Sequence, residues 1–295
     1  MIVVTGGHGF IGSHVVNKLL EKGYDVVVID IKEKPSIDIN GSYEFVKKSI
    51  TDIKEIKEII SNSQGIIHLA AISNVLDCEL NPAKAFEVNT VATYQLYKYA
   101  GKKPFVFASS ASVYGNREIC REDDCPKPLS VYGVTKLSAE HLINATILRY
   151  FNVYGEGQSH KTKAVIPSFF YSILTKGKVI VYGDGNQTRD FIYVGDVADA
   201  TIRAFEMNVR GVFNIGTAKQ ISILQLLSHI KSIVDKEFEE FGIEFKPPRK
   251  GDIKKSIADI TRAKTLLNFH PKMDLREGLR RTYNWILPFL LEEVI

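Results

Sequence analysis

Three cysteines in 295 residues are too few for a disulfide framework. Cys120 and Cys125 flank Arg-Glu-Asp-Asp, close enough for a local bridge, but free thiols are the favoured reading. No apolar run approaches the roughly 18 to 20 residues that a membrane helix needs. The opening "MIVVTGG" reads directly as a buried strand, without a basic leader or cleavage signal, so a cytoplasmic protein is expected. Neither sign of charge dominates, with 38 basic against 34 acidic residues spread along the chain. No basic cluster interleaves with aromatics, which argues against nucleic acid as a partner. No repeat or low-complexity stretch appears. The 45% hydrophobic content suits a large globular protein of one or two domains.

Residues 1–152 alternate short apolar runs with helical patterns. "MIVVTG", "DVVVID", "GIIHLAA", "PFVFASS" and "ATILRYFN" read as strands. "SHVVNKLLEKG", "DIKEIKEIISN", "VNTVATYQLYKYAG" and "YGVTKLSAEHLIN" lie between them, with apolar spacing near 3.6. Strands apolar on both faces, alternating with helices, imply a doubly wound parallel sheet, an α/β Rossmann fold. After residue 152 the pattern loosens into Gly-rich loops and a few helices, with one more strand in "GVFNIGT". The expected division is a dinucleotide-binding domain of residues 1–152, to which 191–216 return. Residues 153–190 and 217–295 then form a smaller substrate-binding α/β part.

"VTGGHGFIGSH" follows the first strand and opens the first helix. Gly6 suits the tight turn, Gly9 the close approach of a pyrophosphate, and Gly12 close helix–strand packing, with Phe10 and Ile11 at the helix start. The second strand ends in Asp30, near the expected distance for a carboxylate that accepts from both ribose hydroxyls and repels a 2′-phosphate. NAD is therefore expected over NADP, although Lys32 and Lys34 lie close by.

Tyr132 and Lys136 stand one helical turn apart. Spacing alone says little, because Tyr43 with Lys47, Tyr94 with Lys98 and Tyr99 with Lys103 share it. Context distinguishes the pair: "FASSASVYG" places Ser110 and Ser112 at the carboxyl end of the preceding strand. A free tyrosine, with a pKa of about 10, is a poor base at neutral pH. A neighbouring ammonium and a positive nicotinamide would favour the phenolate and lower that value. Tyr132 is thus the expected general base, Lys136 its electrostatic partner and ligand of the nicotinamide ribose, and Ser110 the group that aligns the substrate hydroxyl.

With these motifs in order, the chain resembles the NAD-dependent epimerase/dehydratase family of extended short-chain dehydrogenases/reductases, most of all its UDP-glucose 4-epimerases. "HLAA" (68–71), Asn89 in "EVNTVAT", "YGVTK", "LRYFNVYG", "GDGNQTRDFIYVGDVADA" and "PRKGD" carry the resemblance over nearly the whole chain. It implies that Asp52 and Ile53 bind adenine, that Leu69, Ala70, Ala71 and Asn89 line the cofactor site, and that Tyr150 lies against the nicotinamide. It further implies Asn152, Arg189 and Arg249 on the substrate diphosphate, Val165 and Tyr182 around uracil, and Asp252 on the uridine ribose. Two guanidinium forks suit a diphosphate.

Family dehydratases and decarboxylases carry a carboxylate just before Val-Tyr-Gly; here Ser112 stands there. That favours oxidation and re-reduction at C4 of a UDP-hexose. The alternatives are another nucleotide-sugar epimerase or a 4,6-dehydratase of the family, and, outside catalysis, an NAD-binding regulator or scaffold. Ser256 occupies the position that restricts the hexose pocket in these epimerases, and a small residue leaves room for a 2-acetamido group. No metal is implied. A homodimer is the expected assembly, through the helices spanning 82–100 and following Lys136, although the second is shorter than in relatives.

Overall fold

The structure, a computed structural model, describes residues 1–162, 164–235, 240–248 and 253–292. Its first half contains strands β1 (Ile2–Thr5), β2 (Val26–Asp30), β3 (Glu44–Lys47), β4 (Gly65–His68), β5 (Phe105–Ser110), β6 (Ile119–Cys120) and β7 (Thr146–Tyr150). The helices between them are α1 (Phe10–Glu21), α2 (Ile53–Asn62), α3 (Val75–Leu80), α4 (Pro82–Phe86), α5 (Thr93–Ala100) and α6 (Val131–Leu142). A π-helical turn, Glu87–Ala92, joins α4 to α5.

The second half adds β8 (Asn152–Tyr154), α7 (Val165–Lys176), β9 (Lys178–Tyr182), β10 (Thr188–Arg189), β11 (Phe191–Tyr193) and α8 (Val194–Met207). Then come β12 (Gly211–Ile215), β13 (Ile221–Ser222), α9 (Ile223–Lys231), β14 (Gly242–Lys246), β15 (Ile257–Ala258), α10 (Thr261–Leu267) and α11 (Leu275–Glu292).

Seven strands form one parallel sheet in the order β12-β7-β5-β4-β1-β2-β3. This is the doubly wound Rossmann arrangement. The strand order reverses between β1 and β4, and at such a point loops diverge to either side and leave a crevice. β1, β4 and β7 are buried at every residue, because helices cover both faces. One apolar layer packs α1 and α8 against the sheet, around Val15, Leu19, Ile202 and Phe213. The opposite layer gathers Ile56, Leu96 and Ala139 from α2, α5 and α6. A separate core joins α7, α9 and α11 through Phe170, Leu226 and Ile286.

Sequence reading passes over several short elements, β3 and β8 among them. β3 is a four-residue edge strand, Glu-Phe-Val-Lys, with exposed ends and no long apolar run. β8 begins right after β7 but pairs with β11, so "ATILRYFN" holds one strand and the start of another. The three cysteines are free, Cys78 and Cys120 buried and Cys125 exposed.

Asp190, fully buried between β10 and β11, ties the second half together. One carboxylate oxygen accepts from the Thr217 N–H and hydroxyl at 2.8 and 2.7 Å; the other accepts from the Ala218 and Ala258 N–H groups at 3.0 and 3.1 Å. Its own carbonyl receives the backbone N–H of Asn152 at 3.0 Å and the Asn152 side-chain amide at 2.9 Å. An asparagine keeps one acceptor oxygen and turns an NH2 group toward two donors. Each stranded donor costs about 1–3 kcal/mol. Asp190→Asn is therefore expected to lower stability by about 3 kcal/mol, read as a lower urea midpoint. An unchanged midpoint would mean that those donors find other acceptors.

Candidate active site

The turn after β1 is set by glycine. Gly6 has φ +72°, and a Cβ there would stand 2.6 Å from the Ala70 nitrogen. A Cβ on Gly12 would stand 2.0 Å from the Gly6 carbonyl oxygen. The loop therefore lies against both the next turn of its own helix and the β4 end. Gly9 caps α1 without a side chain. The helix N-terminus, with its partial positive charge, opens on a cleft of about 540 Å³.

That cleft collects Gly6, Gly9, Phe10, Ile11 and Gly12 from this loop, and Leu69, Ala70 and Ala71 from the β4 end. Asp30 lines it from the β2 end. One of its carboxylate oxygens accepts the His8 N–H at 3.0 Å and the other the Lys32 N–H at 2.9 Å, which fixes the carboxylate's orientation. Tyr132, Lys136 and Tyr150 line the far part. The Tyr150 hydroxyl is hydrogen-bonded to Thr201 at 2.7 Å.

Three residues expected at the cofactor are not among those that line this cleft. Asp52 and Ile53 are not in the lining: the Asp52 carboxylate turns back to the Ser49 N–H at 3.2 Å within the Ser49–Asp52 turn. Lys48, Ser49 and Ile50 take that wall. Asn89 is fully buried behind the cleft. It accepts from the Ile72 N–H at 2.8 Å and donates to the Ile72 carbonyl at 3.0 Å and the Thr135 hydroxyl at 3.1 Å. The extra residue of the π turn changes the helix register around it. Asn89 thus holds the cleft wall to α6 rather than lining the cleft. Lys84 and Val88, unremarked in the sequence, also line the cleft.

The serine turn and the Tyr–Lys helix meet as the motif order suggests. Ser110 caps the turn, accepting the Ser112 N–H at 3.1 Å, and its hydroxyl donates to Ser112 Oγ at 3.0 Å. The Ser110 hydroxyl also faces the Tyr132 phenol and favours its ionised form. The Lys136 ammonium, only 2% exposed, donates to the Ala108 carbonyl at 2.9 Å. It lies 4.8 Å from the Phe107 ring centroid and 6.0 Å from that of Tyr132.

The protein's own groups set the Tyr132 proton affinity before any nicotinamide charge is added. Burial pushes the phenol up to about 12; the Ser110 hydroxyl opposes this and the neighbouring Cys78 thiol adds to it. Burial lowers Lys136 to about 8, against the pull of Cys78 and Glu140. Desolvation of the phenol therefore outweighs the single ammonium, and the protein alone does not hold a tyrosinate at neutral pH. His68 does not substitute as a base. It is fully buried and lowered to about 3, first by burial and then by Lys136. Its ring nitrogens are occupied by Thr5 at 2.6 Å and Thr93 at 2.9 Å.

A second cleft, of about 440 Å³, brings together Asn152, Val165, Tyr182 and Arg189. Arg189 is braced by the Thr188 and Ile253 carbonyls at 2.8 and 2.5 Å. Ser168, Phe169 and Gln187, not picked out from the sequence, share the lining. The first two follow Val165 at helical spacing, so the α7 periodicity carried that signal. Ser256 lines neither cleft; it is buried near the Cys120 thiol, because β15 pairs with β6. Arg249 and Asp252 lie outside the described residues. Among the described residues no cluster could hold a metal ion, and no helix is long and apolar enough to cross a membrane.

A glycine turn at a helix N-terminus, an oriented carboxylate at the β2 end and a Ser–Tyr–Lys group at the β5 end define a dinucleotide-dependent site of the short-chain dehydrogenase/reductase type. The glycine cradle, which a Cβ would fill, fits the diphosphate of NAD. The chain belongs to the NAD dependent epimerase/dehydratase family, whose model matches residues 2–216. It is an NAD-dependent enzyme of that family.

Three solved structures illustrate the likeness. The UDP-glucose 4-epimerase of Thermotoga maritima, solved with UDP-glucose, is 36% identical, with a TM-score of 0.89 over 98% of this chain and 99% of that one. The UDP-N-acetylglucosamine 4-epimerase of Methanobrevibacter ruminantium, in complex with UDP-N-acetylmuramic acid, is 31% identical, with a TM-score of 0.90 over 98% of each chain. The UDP-glucuronic acid 4-epimerase of Bacillus cereus, in complex with UDP-glucuronic acid and NAD, is 33% identical, with a TM-score of 0.87 over 98% and 99%.

Proposed function

We propose that the protein is a UDP-hexose 4-epimerase, interconverting UDP-glucose and UDP-galactose and also accepting UDP-N-acetylhexosamines. The observation that carries this reading is the grouping of Asn152, Val165, Tyr182 and Arg189 in one cleft beside the strand end that carries Tyr150. Arg189 suits the diphosphate and Tyr182 the base. Ser112, not an acid, precedes Val-Tyr-Gly, so no side chain at that position can protonate a departing hydroxyl. The related UDP-sugar epimerases above support the substrate class.

Tyr132 takes the proton of the sugar 4-hydroxyl and returns it, Ser110 holds that hydroxyl in line, and Lys136 supplies positive charge beside the phenol. NAD, when bound, supplies a reversible hydride acceptor. Binding energy far from C4 holds the keto sugar in the cleft while its other face is presented. The likeness to a UDP-N-acetylglucosamine 4-epimerase supports acceptance of a 2-acetamido group.

Incubation with UDP-galactose is expected to give UDP-glucose, with NAD released on denaturation. Absence of product from both UDP-galactose and UDP-N-acetylglucosamine overturns the reading. Arg189→Leu is expected to raise KM for the UDP-sugar about 10- to 100-fold, from the loss of about 1.5–3 kcal/mol per charged hydrogen bond; an unchanged KM would remove Arg189 from the diphosphate. We further propose a homodimer in the cytoplasm. Phe86, Val91 and Tyr94 on the segment from α4 to α5, and Val134 and Leu142 on α6, are exposed apolar residues on packed neighbouring helices. Light scattering is expected to give twice the 33.1 kDa chain mass.

A further inference from the structure

Behind the Tyr–Lys pair lies a set of buried polar groups that the chemistry above leaves unused. Ser109 precedes Ser110 on β5 and is buried; its hydroxyl donates to the Glu140 carboxylate. Glu140 lies one helical turn beyond Lys136 on α6 and is 7% exposed. Strand and helix are therefore fastened at two successive turns, Lys136 to the Ala108 carbonyl and Glu140 to the Ser109 hydroxyl. Arg149, 3% exposed on the adjacent β7, balances the Glu140 charge. Its Nη2 donates at 2.6 Å and its Nε at 3.1 and 3.3 Å. The same guanidinium lies 4.7 Å from the Tyr114 ring centroid, and Tyr114 donates to Asn214 Oδ1 at 2.6 Å. Both ends of the serine turn are thus tied to this pair.

We propose that Glu140 is a positioning residue for the reaction: through Ser109 it sets the separation between the strand carrying Ser110 and the helix carrying Tyr132 and Lys136. A carboxylate is suited to this place. It accepts from the strand hydroxyl and from a guanidinium at once, and its charge acts on the lysine one turn away. The titratable groups around Lys136 are His68 from β4, Cys78 from α3, and Tyr132 and Glu140 from α6. β5 presents only the Ala108 carbonyl and the Phe107 ring. Glu140 is the carboxylate of this group. Burial lowers Lys136 and Glu140 opposes it, so removing the Glu140 charge brings neutral lysine to lower pH.

The proposal rests on the epimerase reading only for its kinetic assay. Ser109→Ala, Glu140→Asp, Glu140→Gln and the double variant Glu140→Gln/Arg149→Met are prepared as NAD-bound full-length enzymes. The double variant leaves no buried charge without a partner and keeps the test open if Glu140→Gln fails to fold. UDP-galactose turnover is followed from neutral to alkaline pH, with melting temperature alongside. Ser109→Ala is expected to lower kcat about 10-fold, the equivalent of about one hydrogen bond, with KM and the alkaline limb unchanged. Both Glu140→Gln forms are expected to move the alkaline limb to lower pH, and Glu140→Asp to restore it. A double variant that melts like the wild type and keeps its kcat and alkaline limb overturns the proposal, as does a Ser109→Ala enzyme of unchanged kcat. If the wild type converts no UDP-galactose, the functional reading fails instead. The lysine side-chain 13C NMR titration then decides, since the Lys136 midpoint is expected to fall in the double variant, and an unmoved midpoint overturns the proposal.

Discussion

Tyr132→Phe is expected to lower turnover by about 10²–10⁴, the usual contribution of a positioned general base, while NAD stays bound. The phenol lines the dinucleotide cleft and faces Ser110, where a sugar hydroxyl must be aligned. No neighbour can replace it. His68 is buried, neutral and held by two threonines. The Cys78 thiol is buried and pushed up. Glu140 is paired with Arg149, and Lys136 is tied to the Ala108 carbonyl. Phenylalanine keeps the ring and its packing, so the loss is confined to the proton. Product formation and cofactor content separate the two effects. A Phe variant at the wild-type rate would transfer the base role elsewhere; one that purifies without NAD would make the residue a cofactor ligand first.

The same tyrosine carries a pH signature. The protein without cofactor holds the phenol near 12, so tyrosinate absorbance is expected only in strong alkali. With NAD bound, the pyridinium adds a second positive charge beside the ring, and the titration is expected to move to lower pH. On the acid side, turnover should rise as pH increases, because the proton must leave before the base can work. Ultraviolet titration with and without NAD checks the direction.

Gly12→Ala is expected to remove NAD binding and to destabilise the fold. The added methyl would lie 2.0 Å from the Gly6 oxygen and 2.8 Å from both the Gly6 carbonyl carbon and the Gly7 Cα. All three are backbone atoms, so no side chain can swing aside. The first turn of α1 must retreat from β1, and the diphosphate cradle opens. Overpacking of this kind costs about 1–3 kcal/mol, and more when the backbone itself must move. Gly9→Ala is a graded control, since its methyl meets only the Gly6 oxygen, at 3.1 Å. Thermal melting should fall more for Gly12→Ala than for Gly9→Ala. A Gly12→Ala protein with full NAD and unchanged melting would contradict the geometry.

Much of this was legible in the residues because it depends on short-range pattern. Strands buried on both faces announce themselves as Val- and Ile-rich runs, and the glycine turn must sit between the first strand and its helix. What escaped depends on placement. β3 has only four residues at a sheet edge, so the sequence pattern does not bring Lys48–Ile50 beyond it to the cleft, where they join the lining. Asn89 sits in a π turn, which has no periodicity of its own, and therefore faces Ile72 and Thr135. Ser256, expected at the sugar pocket, is outside the lining of both clefts, because the two-residue strands β6 and β15 pair beside it. The proton affinity of Tyr132 follows from its burial, which a four-residue spacing does not encode.

Asp190 braces the second cleft from behind, next to Arg189 in sequence and bonded to Asn152, both of which line it. One side chain clasps the backbone at 217, 218 and 258, while the carbonyl of the same residue grips Asn152. To shift that brace, contacts in three separate stretches of chain would have to break together. In the proposed reaction a sugar ring swivels while its nucleotide stays parked, and this anchorage serves it: the pivot turns because the mooring does not.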